Sequence, residues 1–111
     1  MPAYTFNRSH AVATTTATTV LTVPADHKYI LTGLRVSNKS ASVAVTFRVW
    51  VDSGGTVRNL VGYDFPLGTS TAMEVLEGSK IILVTADVLK VISDTSNSAD
   101  VFVSYLDEDN S

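Results

Sequence analysis

Between Val43 and Val51 the chain alternates apolar residues with polar or small ones without a break, then stops at Gly54-Gly55. A period of two is the pattern of a strand with one buried face. Val43, Val45, Phe47, Val49 and Val51 form the core side, while Ala44, Thr46, Arg48 and Trp50 point the other way. The only tryptophan therefore faces away from the core. What it faces is a question about function.

The rest of the chain fits around that strand as more strands. Val and Thr dominate, both stiff at the first side-chain torsion and suited to a pleated surface. No segment reads as a helix. Strands are expected at 17–23, 29–38, 42–52, 56–63, 71–76, 80–85, 88–93 and 100–106. The breaks between them carry turn chemistry: Pro24, Asn38 to Ser40, Ser53-Gly54-Gly55, Pro66 to Gly68, Glu77-Gly78 and the polar loop Asp94 to Ala99. About eight short strands without intervening helices predict an all-β fold, an antiparallel β-sandwich of jelly-roll or other Greek-key type. In the strand 29–38, Ile30, Thr32, Leu34 and Val36 are the expected core face. The last two strands are apolar on both sides for much of their length, so a second cover is expected for them, such as a neighbouring subunit.

A chain of 111 residues without a composition break reads as one domain of residues 17–107. Residues 1–16, which run into the Thr-rich stretch ATTTATTV at 13–20, read as an N-terminal extended arm or edge strand, and 108–111 as an acidic tail. Hydrophobic residues make up 45 % and charged residues 17 %, a composition that folds. With no cysteine, neither a disulfide frame nor a thiolate metal site is available. A net charge of −3 with scattered Lys and Arg argues against a nucleic-acid surface. The start, MPAYTFNRSH, has no apolar leader core, and no run approaches the roughly 20 residues that span a bilayer.

Candidate chemistry is sparse. His10 and His27 stand outside any metal-binding spacing, and no nucleophile elbow surrounds a serine. Asp94 with Asp100, and the run Asp107-Glu108-Asp109, offer oxygens for calcium. No D-x-D-x-D-G loop frames them, and the terminal run reads as a solvated tail. Gly54-Gly55 is a hairpin turn, because a phosphate cradle needs a following helix and TVRNLV is a strand. No catalytic residue, metal or other cofactor is therefore expected. Arg48 and Trp50 offer flat, weakly hydrated surfaces for a sugar or peptide. They fit better as a contact with protein, either the N-terminal segment or another copy, since Trp and Arg are enriched at interface centres. Tyr4 and Phe6 are candidate apolar anchors of the arm, and Tyr63 with Phe65 is a further candidate contact near a loop end.

The succession VLTVPADHKYILTGLRVSNKSASVAVTFRVWV, then FPLGTSTAMEVLEGSKIILVTADVLKVISDT and a final VFVSYLDED, resembles a class of small β-sandwich virion proteins of tailed bacteriophages. The resemblance spans residues 18 to 108 and rests on turn and packing positions: Pro24, Gly33, Asn38, Pro66, Gly68, Gly78 and Ser104. It implies a non-enzymatic structural component built in repeated copies. The first expectation is a head decoration or cement protein that binds the major capsid protein from outside, often as a trimer, and so resides in the virion after assembly in the host cytoplasm. A tail, neck or fibre-associated protein fits the same resemblance. Apart from it, a carbohydrate-binding or adhesin-like module with Trp50, Tyr63 and Tyr105 as stacking surfaces stays open. For the decoration protein the arm from Ala3 to Thr16 is expected to lie across a neighbour as an added strand.

Overall fold

The computed structural model describes residues 3–40, 42–60, 65–95 and 99–110. Among them are ten strands: β1 (Ala3–Ala13), β2 (Thr18–Thr22), β3 (His27–Asn38), β4 (Val45–Ser53), β5 (Thr56–Asn59), β6 (Phe65–Leu67), β7 (Ala72–Glu74), β8 (Ile81–Leu83), β9 (Val88–Ser93) and β10 (Ala99–Asp109). They form two antiparallel sheets. Sheet A runs β1-β10-β3, with β7 and β8 sharing the far edge of β3, and sheet B runs β2-β9-β4, with β5 and β6 sharing the far edge of β4. The pairing is that of one long hairpin folded on itself: β1 with β10, β2 with β9, β3 with β7 and β8, β4 with β5 and β6. Successive pairs fall in alternate sheets, which is the winding of a jelly roll.

The sandwich core lies between the sheets, as period-two strands require. Val45, Phe47, Val49 and Val51 of β4 are all buried, as their alternation predicts, and they face Leu31, Leu34, Val36, Val101 and Val103 among others. Val43 is the exception: it precedes the strand and is 44 % exposed. Phe65 is half-buried, its ring 5.7 Å from that of Phe47, so β6 closes the core at the edge of sheet B.

In β3 the expected core face is corrected. Tyr29 and Leu31 are buried where Ile30 and Thr32 were expected, whereas Leu34 and Val36 are buried as expected. The cause is a β-bulge: Ser104 pairs with Gly33 and Tyr105 with Leu31, leaving Thr32 as the extra residue. One inserted residue switches the parity of every residue before it. Thr32 Oγ1 donates to the carbonyl of Ser104 (3.2 Å) and holds the bulge to its neighbour. A Cβ on Gly33 would stand 3.0 Å from Ser104 Oγ, so the smallest residue occupies the tightest point.

Both ends of the chain are strands of the sandwich. β1 pairs with β10 over eleven consecutive positions, from Ala3 opposite Asp109 to Ala13 opposite Ala99, so the N-terminal segment is an edge strand of the chain's own sheet A. It does not lie over Trp50, which belongs to sheet B. The acidic run is not a free tail either. β10 continues through Asp109, His27 Nδ1 lies 2.7 Å from Asp107 Oδ1, and Lys28 Nζ lies 3.8 Å from Glu108 Oε2. The carboxylates are in the strand because β3 places His27 opposite Asp109 and Lys28 opposite Glu108, and His27 also reaches Asp107.

Buried polar groups tie the turns to the strands. Asp87 accepts from the Val84 amide (3.0 Å) and from Ser53 Oγ (2.7 Å), joining the β8–β9 turn to the end of β4. Asn38 does the same for three segments at the end of β3. Tyr29 and Tyr105 stack with ring centroids 4.4 Å apart, and burial pushes the Tyr29 phenol up to about 12.

Candidate interaction surface

The outer faces of the two sheets carry different chemistry. On sheet A, strand register brings Phe6 of β1 opposite Leu106 of β10, Leu106 opposite Ile30 of β3, and Ile30 opposite Ile82 of β8. These side chains form one apolar row across the full width of the sheet. Phe6 is 79 % and Ile82 59 % exposed, while Leu106 and Ile30 between them are half-buried by their neighbours. Exposed Tyr4 and Val84 extend the row at its two ends.

Polar groups flank the row. On one side Glu108 sits between Lys28 and Tyr4, whose hydroxyl donates to Glu108 Oε1 (3.3 Å). That carboxylate raises the Tyr4 phenol above its usual range. On the other side exposed Phe102 is stacked on His10 with ring centroids 6.3 Å apart, and the Arg8 guanidinium lies 5.9 Å from the centre of its ring. Beyond Phe102 an open depression of about 500 Å³ is lined by Gly33, Arg35, Glu74, Asp100 and Ser104. Leu34 falls between β7 and β8, where no strand reaches its amide, and Glu74 Oε1 accepts that hydrogen bond at 2.9 Å. This carboxylate serves the backbone.

On sheet B, Trp50 does point out of the core. Its cross-strand neighbours are Lys90 of β9 and Asn59 of β5, and it is half-buried. Arg48 lies on the same face, and together with Trp50, Val57 and Asn59 it lines a shallow hollow of about 240 Å³. Lys90 Nζ stands 3.8 Å from Asp52 Oδ2 alongside. The sequence-derived contact residues are thus divided: Tyr4 and Phe6 on sheet A, Arg48 and Trp50 on sheet B, Phe65 packed toward the core. Tyr63 lies outside the described residues. Leu106, Ile30 and Ile82 were not among the expected contacts. Their signal is visible only in register, because they come from three strands far apart in sequence.

Among the described residues no group of three His, Cys, Asp or Glu side chains is placed to hold a metal ion. The nearest approach to a polar constellation is His27 with Asp107 (2.7 Å) and Asp109 (3.5 Å). The hydrogen bond that His27 donates to Asp107, assisted by the charges of Asp107, Asp109 and Asp26, raises the His27 imidazole above its usual range against the opposing effect of burial. This arrangement clips the start of β3 to the end of β10.

No family model matches the chain, and no curated protein matches it. Among solved structures the chain is similar to one described as Bacillus endospore appendages that form a novel family of disulfide-linked pili, at 10 % identity and a TM-score of 0.47, over 99 % of this chain and 89 % of that one.

Proposed function

We propose that this chain is a non-enzymatic structural protein that docks the outer face of sheet A onto a larger protein assembly. The observation that carries the reading is the row Phe6–Leu106–Ile30–Ile82, an apolar band across a whole sheet with charged and polar groups on either side. Contiguous apolar surface with a polar rim is the anatomy of a protein contact. Its occupant is named from the sequence resemblance: the assembly is the head of a tailed bacteriophage, and the partner is the major capsid protein. A protein bound outside the lattice across adjacent capsomers adds contact area that must be broken before they separate. Many copies make modest individual contacts collectively large.

The test is co-sedimentation with empty shells of the major capsid protein encoded in the same genome. Ile82→Glu/Val84→Glu changes the exposed Ile82 of β8 and the exposed Val84 just beyond it and leaves the core alone. The double variant is expected to keep the wild-type melting temperature and to lose shell binding. Full binding by the double variant refutes the docking face. Wild-type chain that ignores shells but is found in tail or neck fractions of particles assigns it to those structures instead. The hollow beside Trp50 favours a second reading, a carbohydrate-binding module. Glycan binding lost in Trp50→Ala, with the fold intact, would select it.

A further inference from the structure

We infer that two copies of this chain join through the free edges of their β1 strands, antiparallel across a two-fold axis, to make one continuous sheet. β1 is eleven residues long and pairs with β10 without a register shift, and no described strand pairs with its other edge. It contains no proline, no lysine and no bulge between Ala3 and Ala13. Those are among the devices by which proteins blunt an open edge.

The other three edges of the sandwich have such devices. The far edge of sheet A is divided between β7 and β8, three residues each, with Glu77 and Gly78 at positive φ between them. The far edge of sheet B is divided between β5 and β6, four and three residues, and β6 contains Pro66. β2 has five residues and an irregular register. Among the described strands, therefore, the one open edge that is neither divided, proline-bearing nor irregular in register is β1, and its fitting partner is the β1 of a second copy. A strand pairing with its own copy gives a closed, isologous contact.

Side chains choose the register. Centring the two-fold axis on Arg8 sets two guanidiniums opposite each other, which opposes pairing. Centring it on Phe6 sets Phe6 against Phe6 and Tyr4 against Arg8 of the second copy, with Thr5 against Asn7. That register uses the stretch from Tyr4 to Arg8, every residue of which is exposed. It avoids Ser9, whose hydroxyl is bonded to the Val20 carbonyl at 2.7 Å, as the centre of the contact. It also makes the apolar row of one copy continuous with that of the next, because Phe6 ends the row at this edge.

The inference rests on the edge and not on the capsid reading, and the two fail separately, since Ile82 and Val84 stand across the sheet from Phe6. The chain has no cysteine, so a single introduced thiol reports on one position. Opposed residues across an antiparallel two-fold have Cα atoms about 4.5–5.5 Å apart, within disulfide reach. Phe6→Cys is expected to oxidise to a covalent dimer, and Val12→Cys, on the same face of the same strand, to stay monomeric. Light scattering should find a concentration-dependent dimer for the wild-type chain. Phe6→Lys should weaken it by at least about tenfold, whereas Val12→Lys leaves the mass unchanged. All four variants should melt with the wild-type chain. One-chain mass at the highest soluble concentration, or Phe6→Cys cross-linking no faster than Val12→Cys, overturns the inference. A trimer indifferent to Phe6→Lys overturns it too.

Discussion

Asn38 holds the loop end of the sandwich together through donors, and replacing it by its isostere should be worse than deleting it. Its side chain is 2 % exposed. Nδ2 donates toward the carbonyl oxygens of Val43 (2.9 Å), Gly68 (3.1 Å) and Leu67 (3.3 Å), and Oδ1 accepts from the Ser40 amide (2.9 Å). Asn38→Ala removes all of these. Val43 and Gly68 are exposed and their carbonyls can turn to water, but Leu67 is buried. At about 1 kcal/mol per bond, discounted for the rehydrated carbonyls, the cost is about 2–3 kcal/mol. That lowers the melting temperature by about 10–20 °C for a chain of this size. Asn38→Asp keeps the shape but turns an ionised oxygen toward three carbonyl oxygens, leaving a buried charge whose cost is about 3–5 kcal/mol. The protonated carboxyl supplies one O–H donor to the same carbonyls, so folding raises its pKa above the unfolded value of about 3.9. Stability of the Asp variant is then fully present below that value and is lost as pH rises through the folded pKa. Thermal melts of the three proteins from pH 4 to pH 8 check this. The Asp variant should be the least stable at pH 7 and should overtake the Ala variant toward pH 4. An Asp variant more stable than the Ala variant at pH 7 refutes the donor argument.

Two further outcomes follow from the geometry. Ala86 is held at φ 74° in the β8–β9 turn, a left-handed conformation that costs an L-residue about 1–2 kcal/mol. Ala86→Gly relieves it and gives back about 0.4–1 kcal/mol in unfolded-chain entropy, so a net gain of about 0.5–1 kcal/mol is expected in urea unfolding, and a loss would contradict the strain. For His27 the folded pKa is raised, chiefly by its hydrogen bond to Asp107. Its contribution is therefore fully present below the unfolded pKa of about 6.5 and disappears as pH rises through the folded value. The melting temperature of the wild-type chain should fall over that range and that of His27→Gln should not; parallel profiles would rule the clip out.

The alternation from Val45 to Val51 was legible because nothing interrupts its period, and with it came the sheet class and the outward direction of Trp50. β3 was not, because Thr32 inserts a residue and switches the parity of Tyr29, Ile30 and Leu31; the nearby Gly33 marks the place without saying which way the parity moves. In the sequence β1 reads as an arm or edge strand and not as a full member of the sandwich. Its Asn, Arg, Ser and His residues give no apolar period, and its partner β10 lies at the other end of the chain. Asp107, Glu108 and Asp109 look like a solvated tail until β3 brings His27 and Lys28 to them. β6, three residues around a proline, is too short to show a period at all. The apolar row on sheet A needs four strands in register, which no local window contains.

The two outer faces differ in what a partner would have to displace. On sheet B the Trp50 indole is half-covered by its own surroundings, with Lys90 and Asn59 on either side and the Lys90–Asp52 pair next to it. Burying that face takes charged groups out of water, and such pairs recover little of the desolvation cost unless the partner supplies matching groups. On sheet A the apolar row runs unbroken from one edge to the other, and the charges Lys28, Glu108 and Arg8 lie beside it, where a rim would be. A flat protein surface can cover the row and leave those charges wet. Burial there draws on apolar area at about 25 cal/mol per Å² without an opposing polar penalty at the centre. The lone tryptophan is the conspicuous residue in the sequence, but the face assembled from Phe6, Leu106, Ile30 and Ile82 is the one whose exposure folding leaves uncompensated.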